Sequence, residues 1–222
     1  MRRMLVMVVA TAWAVTASGP ARAATVGGEV FGAFNTYSMD QVNEEFVKFL
    51  NDSAGTNFDE ISTAFGGGLA LRVWPTPAWM VSVGWEPLFA STKSDAFGVD
   101  LELKANAHAF QVTGAYFFPT QGTGKFGLGA GLGYYTIAGD FTGPDSTGAT
   151  TTIEIGGSSV GFHFLGLAEW TVSPGFGVTG SAGYRVAKIE ETEFDGVKDP
   201  NSETDYSGLM LRAGLAFYLP SK

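Results

Sequence analysis

A strict alternation of side-chain size in the stretch KFGLGAGLGYY, residues 125–135, constrains the fold of this chain more than any other feature. Every second residue from Gly127 to Gly133 is glycine, and Tyr135 continues that face. The opposite face carries Phe126, Leu128, Ala130, Leu132 and Tyr134. A phosphate-binding loop needs the spacing G-x-G-x-x-G and a helix after it, and this stretch has neither. The pattern therefore predicts a β-strand with one apolar face and one very small face.

The same period of two recurs along the chain and predicts eight strands. The candidates lie near residues 26–37, 64–73, 79–86, 105–118, 125–135, 151–170, 176–186 and 209–219. Tight turns rich in Pro and Gly at 74–78, 119–124 and 173–174 alternate with longer polar segments at 38–62, about 89–103, 140–150 and 189–205. This order predicts an antiparallel up-and-down meander that has all its long loops at one end.

The chemistry of the two strand faces distinguishes a membrane barrel from a soluble one. Large apolar residues share one face, and Gly, Ser, Thr and charged residues share the other, so a soluble barrel would have a bare outer surface. Aromatic residues also gather at the strand ends. Those near the short turns are Trp74, Trp79, Phe118, Phe126, Trp170, Phe176 and Tyr218, and those near the long loops are Tyr37, Trp85, Phe89, Tyr134 and Tyr184. Two aromatic girdles around an apolar band are typical of a transmembrane β-barrel, whose closure satisfies every backbone polar group.

The N-terminal segment has the pattern of a secretory signal peptide. Two arginines precede an apolar run from Met4 to Val15, and the triplet Ala21-Arg22-Ala23 resembles a cleavage site. The run is shorter than the roughly 20 residues of a spanning helix. We therefore expect residues 1–23 to be a cleaved signal peptide and residues 24–222 to form one outer-membrane β-barrel domain.

Charge and cysteine content narrow the function classes. Residues 24–222 contain 10 basic and 22 acidic side chains, a net charge of −12, which argues against a nucleic-acid partner. The chain has no cysteine, so neither disulfides nor a lipid-modified N-terminal cysteine are available. The acidic last loop lacks the spacing of a calcium-binding loop, and we predict no dedicated metal site and no cofactor.

The chain resembles the small eight-stranded outer-membrane β-barrels of the OmpA-domain, OmpX and OmpW type, from Thr25 to Leu219. The resemblance is one of architecture and implies an all-β, eight-stranded antiparallel up-and-down transmembrane barrel in the cell outer membrane, with both termini periplasmic. The final strand resembles the assembly signal of such proteins, which implies recognition of Phe217 or Tyr218 by the barrel assembly machinery. It departs from that signal because Leu219-Pro-Ser-Lys222 follows the aromatic residues. Outer-membrane lipid is the other partner that the resemblance implies.

Six charged residues fall on inward faces in this register: Glu29, Arg72, Glu86, Glu169, Arg185 and Arg212. Eight strands enclose a space that side chains can fill, and buried charges must be paired or hydrated. We expect a salt-bridged plug, with a narrow channel for small solutes as the alternative. The glycine face of 125–135 would make room for an arginine from across the barrel, or for water.

The first long loop carries the pattern of a short amphipathic helix over the barrel mouth. Ser38 and Gln41 have the spacing of a capping box. Apolar residues then recur at helical spacing at Met39, Val42, Phe46, Phe49 and Leu50. We expect this helix to pack on the loops or strand tops, with a lid or a contact site for lipid or a partner as the alternative.

Catalysis is the least favoured function class. The chain has two histidines, His108 and His163, and neither is surrounded by a sequence typical of lipid-modifying outer-membrane enzymes. No set of nucleophile, base and orienting group is evident. The sequence therefore predicts a non-enzymatic, envelope-structural or surface-interacting barrel, and it does not name a solute or a surface partner.

Overall fold

A computed structural model describes residues 24–96, 99–144, 150–200 and 202–219. The predicted signal peptide, residues 1–23, lies outside the described residues. Among those that are described, no helix is long and apolar enough to cross a membrane.

Eight antiparallel strands close into a ring, which confirms the predicted fold class. Each strand pairs with the next along the chain, and the last pairs with the first from Gly27 opposite Tyr218 to Asn35 opposite Met210. The strands are β1 (Thr25–Thr36), β2 (Thr63–Trp74), β3 (Trp79–Leu88), β4 (Ala107–Phe118), β5 (Gly124–Pro144), β6 (Thr150–Ser173), β7 (Phe176–Val186) and β8 (Gly208–Tyr218). Closure gives every strand of the ring a partner on both sides.

The strand alternation separates an apolar outer wall from a polar interior. In β4, for example, Ala109, Gln111 and Thr113 are buried inside, whereas Phe110 and Phe118 are exposed on the outside. The outer wall carries many other exposed large side chains, including Leu69, Leu71, Val83, Leu128, Leu132, Val160, Phe164, Leu209 and Leu211. This arrangement reverses that of a soluble barrel and fits a hydrocarbon surrounding.

Three of the residues predicted for the aromatic girdles instead point into the barrel. Trp74 shares the inward face of β2, and Tyr218 that of β8. Tyr37 lies on the inward side of the chain that leaves β1. Trp74 and Tyr37 are buried, and Tyr218 contacts the lumen residue Arg72. They do lie near strand ends, but the alternation places them on the inner face. Trp79, Phe118, Phe126 and Trp170 at the short turns, and Trp85, Phe89, Tyr134 and Tyr184 near the long loops, are exposed on the outer wall.

Short turns lie at one end of the barrel and long connections at the other, as predicted. β5 and β6 have 21 and 24 residues, about twice the 9–11 that cross a bilayer, so they project beyond the apolar band at the long-loop end. Two hairpins pair with these projections: Ser91–Ala96 with Val99–Lys104 against β5, and Glu193–Phe194 with Val197–Lys198 against β6. Lys188–Glu190 pairs with Glu203–Asp205. Much of the predicted loop sequence is therefore sheet.

The first long connection contains the predicted helix, with three corrections. Met39 is not part of the helix, because it lies before it and has a positive φ of 35°. The connection comprises a π-helical segment, Val42–Val47, and an α-helix, Lys48–Ala54, which ends at Gly55 in the left-handed conformation. The capping box does not form, because the Ser38 hydroxyl donates to the Ser207 carbonyl and no side chain caps the helix. Phe49 is 61% exposed, and Val47 is buried in its place. The π-helical turn shifts the helical register, which moves Phe49 off the packed face.

Candidate functional site: the barrel interior and its mouth

An ion-pair layer, here the lower layer, crosses the lumen near the short-turn end. It consists of Arg72 on β2, Glu29 on β1 and Glu169 on β6. Arg72 Nη2 lies 2.9 Å from Glu169 Oε2, and Arg72 Nε lies 3.8 Å from Glu29 Oε2. The Arg72–Glu169 contact is electrostatic, since Glu169 Oε2 meets no hydrogen-bond geometry. The Thr179 hydroxyl donates to the other oxygen of Glu29.

Aromatic rings pack in the lumen below this layer. Trp74 and Phe117 pack with ring centroids 4.6 Å apart, and the Tyr218 hydroxyl accepts a hydrogen bond of 3.1 Å from Arg72 Nη1. Lys125 places its ammonium 4.6 Å from the centre of the Trp74 ring. Lys125 was not among the predicted lumen charges, although it shares the parity of the glycine face and that parity places it on the inner wall.

A second polar layer, here the upper layer, lies toward the long-loop end. Arg212 Nη2 contacts Glu86 Oε2 and donates to Gln111 Oε1 at 2.8 Å. Asn35 Nδ2 donates to Glu86 Oε1 at 2.8 Å, so both carboxylate oxygens are engaged. Asn35 and Gln111 carry no charge, and a search for charged residues alone could not identify them.

The guanidinium of Arg185 completes the upper layer without a direct acidic partner. Arg185 is 0% exposed, donates to the Tyr206 carbonyl at 2.8 Å and donates to Asn35 Oδ1 at 3.3 Å. The rings of Tyr37 and Tyr135 lie 5.7 and 6.0 Å from its central carbon. Within the described part of the chain, no carboxylate lies within ion-pair distance of Arg185. The positive charge of Arg185 is therefore stabilised by carbonyl, amide and aromatic groups.

A small chamber, here the mid-lumen chamber, separates the two layers. Its volume is about 40 Å³. Arg72 and Glu29 lie on its lower side and Arg212 and Gln111 on its upper side. The wall between them carries the hydroxyls of Ser82, Thr113, Thr179 and Ser181 together with apolar side chains at Phe31, Met80, Leu165 and Leu167. The chamber is too small for an organic solute.

The glycine face of β5 makes room for aromatic rings. A Cβ at Gly131 would lie 2.6 Å from His163 Nε2, and a Cβ at Gly133 would lie 2.7 Å from the Tyr135 ring. A Cβ at Gly127 would likewise lie too close to the Phe117 ring. The expectation that these glycines accommodate an arginine or water was wrong, because the rings occupy that space.

The two histidines lie in different surroundings in the described structure. His163 is fully buried in the lumen, where its Nε2 lies 2.8 Å from the Thr113 hydroxyl oxygen, but its Nδ1 has no partner that would orient a base. His108 lies on the outer wall and stacks on Trp85 with ring centres 5.9 Å apart. The described residues also contain no group of three or more His, Asp or Glu side chains that could hold a metal ion.

An apolar core, here the mouth core, fills the long-loop end above the upper layer. Met39, Val47, Leu88, Ile189 and Tyr206 are among its fully or nearly fully buried residues. Three of the predicted helix residues, Val42, Phe46 and Leu50, pack against it.

Side-chain amides of the helix fix the returning chain over this core. Asn43 exchanges two hydrogen bonds, of 2.8 and 3.0 Å, with the backbone of Ile61. Asn51 does the same with Phe58, also at 2.8 and 3.0 Å. The mouth is thus closed by a hydrogen-bonded cover rather than by an isolated loop.

Exposed ion pairs lie on the accessory strands around the mouth. Lys188 contacts Glu203 at 2.9 Å and Asp205 at 3.3 Å, and these hydrogen bonds raise the pKa of Lys188 to about 12. Lys104 bridges Glu102 at 3.1 Å and Asp140 at 3.3 Å, and its hydrogen bond lowers the pKa of Glu102. The Lys188 pairs and the Lys104–Asp140 pair connect neighbouring strands, which the sequence could not reveal because the accessory strands were not predicted.

Comparison with known proteins identifies the fold. No family model matches the sequence, and no curated protein matches it. Among solved structures, the chain is similar to a major outer membrane protein from Thermus thermophilus, at 14% identity, with a TM-score of 0.58 and coverage of 87% of this chain and 99% of that one. It is also similar to the outer membrane protein OprG from Pseudomonas aeruginosa, at 13% identity, with a TM-score of 0.54 and coverage of 89% and 96%. The predicted resemblance to small outer-membrane barrels is thereby confirmed at the level of the fold.

Proposed function

We propose that this chain is a non-enzymatic integral protein of the cell outer membrane whose lumen is plugged and whose loop end forms an envelope-structural or surface-contacting face. The filled interior carries this proposal. From the short turns to the mouth, the lumen holds an aromatic base, two polar layers and an apolar cover, with a chamber of about 40 Å³ between the layers. The lumen network and the mouth helix together serve as the plug.

The distribution of charge supports a surface role for the long-loop end. Of the 22 acidic residues in the sequence, 19 lie in segments 38–62, 89–106, 138–157 and 188–207, with five basic residues. The outer wall in between is apolar, and its proposed partner is outer-membrane lipid. In the membrane, the four long segments would face outward and both termini would face the periplasm. Phe217, which is 51% exposed on the outer wall, is the better candidate for recognition by the assembly machinery, since Tyr218 points inward.

The absence of native cysteine allows a direct accessibility test. Ser181 lines the mid-lumen chamber, whereas Val197 is exposed at the tip of an accessory hairpin. We expect Val197→Cys to react rapidly with a charged, membrane-impermeant thiol reagent in folded protein, and Ser181→Cys to react only after unfolding. Equal reaction at both positions in the folded barrel would contradict the plug. It would support the second candidate, a narrow channel for small solutes.

A further inference from the structure

Two side chains at the mid-lumen chamber, one buried and one partly buried, keep donor groups without a hydrogen-bond partner in the described structure. Gln111 is 5% exposed, and its Nε2 is unpaired although its Oε1 accepts a hydrogen bond from Arg212. That bond fixes which end of the amide faces the guanidinium, so both amide N–H groups remain donors. The nearby Tyr135 hydroxyl could take only one of them. Arg212 Nε is unpaired as well. A buried donor left unsatisfied destabilises the folded state, so two at one chamber point to a ligand that accepts hydrogen bonds.

The charges around the chamber favour an anion as that ligand. The upper layer contains two guanidinium groups, Arg185 and Arg212, and one carboxylate, Glu86, whose two oxygens are both engaged. Its net charge is therefore positive. Glu29 also lines the chamber, but its two oxygens contact Arg72 and the Thr179 hydroxyl. Both oxygens of Glu29 therefore have a partner, whereas Arg212 Nε on the opposite side of the chamber has no hydrogen-bond partner.

The size of the chamber limits the ligand to a small one. A water molecule needs roughly 10–15 Å³ by the same kind of measure, so about 40 Å³ has room for one monatomic ion together with a water molecule. The hydroxyl of Ser181 provides a further donor on the wall. We propose that the mid-lumen chamber binds a single halide ion, chloride under ordinary conditions, held by Arg212 and Gln111.

This site would act as a structural counter-ion for the upper layer. An unbalanced buried charge destabilises a protein strongly, and a bound anion offsets the excess positive charge of Arg185 and Arg212. The proposal does not depend on whether the lumen conducts, since it concerns only the balance of charge within the folded barrel.

Anion-dependent stability provides the first test. The protein is refolded from urea into lipid vesicles in sodium chloride or in sodium gluconate of equal ionic strength, because gluconate is too large for the chamber. Chloride at tenfold excess over its dissociation constant should raise Tm by about 3–6 °C, and the shift should keep rising with the logarithm of the chloride concentration. Equal Tm values in the two salts would overturn the proposal.

A matched pair of variants separates a lumen site from a general salt effect. Gln111→Glu places a fixed carboxylate beside Arg212 and should abolish the chloride-dependent shift. Gln121→Glu makes the same change in an exposed short turn and should keep the full shift. Loss of the shift in both variants, or in neither, would contradict a site at Gln111.

Direct location of the ion keeps the proposal testable if Gln111→Glu does not fold. Crystals of the unaltered protein grown in sodium bromide should show an anomalous bromine peak within hydrogen-bonding distance of Arg212 Nε and Gln111 Nε2. Ordered density at that position without an anomalous signal would identify water and overturn the proposal.

Discussion

Removal of Arg72 tests the energetics of the lower layer. Arg72→Ala deletes the cation that lies 2.9 Å from Glu169 and 3.8 Å from Glu29, and it also removes the donor to Tyr218. Both Arg72 and the Glu169 side chain are 2% exposed, so the carboxylate that remains cannot be hydrated without a structural change. Removal of one partner of a buried pair typically costs about 3–5 kcal/mol.

Two features of the layer place the expected loss near the lower limit of that range. Glu29 keeps its hydrogen bond from Thr179, and Lys125 stands directly opposite Glu169 across the β5–β6 ladder. We therefore expect Arg72→Ala to lower the free energy of unfolding by about 3 kcal/mol.

Urea unfolding in lipid vesicles, followed by far-ultraviolet circular dichroism, measures this change. Circular dichroism is the better probe because Trp74 lies 5.7 Å from Arg72 and its fluorescence would respond locally. A triple variant, Arg72→Met with Glu29→Gln and Glu169→Gln, removes all three charges and should recover most of the loss. Lys93→Ala, which breaks an exposed pair, should change little. A loss below about 1 kcal/mol for Arg72→Ala would refute the reasoning.

Three further predictions concern other parts of the barrel. Gly131→Ala should reduce refolding yield sharply, because the added Cβ would collide with the imidazole of His163. Gly114→Ala should refold normally, because its Cβ would face open space on the outer wall. Nuclear magnetic resonance titration should find the pKa of Glu102 below its ordinary value, and Lys93→Ala should raise that pKa. The stability that the lowered pKa contributes is present above the unfolded-state pKa of Glu102 and is lost as the pH falls through its folded-state pKa. Phe217→Ala should lower the amount of protein assembled in the outer membrane, measured as the heat-modifiable band, while Phe217→Tyr should assemble normally.

The architecture could be predicted from the sequence because period-two alternation is a local property. Each strand of the ring can be recognised from side chains two residues apart, and the Pro- and Gly-rich turns separate the strands. The same parity assigns Glu29, Arg72 and the other charged residues to the inner face. Parity also assigns Trp74, Tyr218 and Tyr37 to the inner face. The prediction that these three residues belong to the girdles was wrong because it considered only their position along the strand and not their parity.

The remaining features depend on register between strands, which one sequence does not specify. Gln111 meets Arg212 from the other side of the barrel, and Arg185 lies beside Tyr206, so neither contact has a local signal. The accessory hairpins pair with the ends of β5 and β6 that project beyond the ring. The π-helical turn at Val42–Val47 likewise reflects packing on the mouth core, and it explains why a regular helical period misplaced Phe49.

Single-channel conductance of the refolded protein in a planar lipid bilayer tests the plugged lumen most directly. Insertion is established beforehand by the heat-dependent gel shift of folded barrels. A plugged lumen predicts that the properly inserted protein conducts no detectable current, since two polar layers and the mouth core would block the path of ions. Discrete openings from the inserted barrel would contradict the plug and would favour the narrow-channel function.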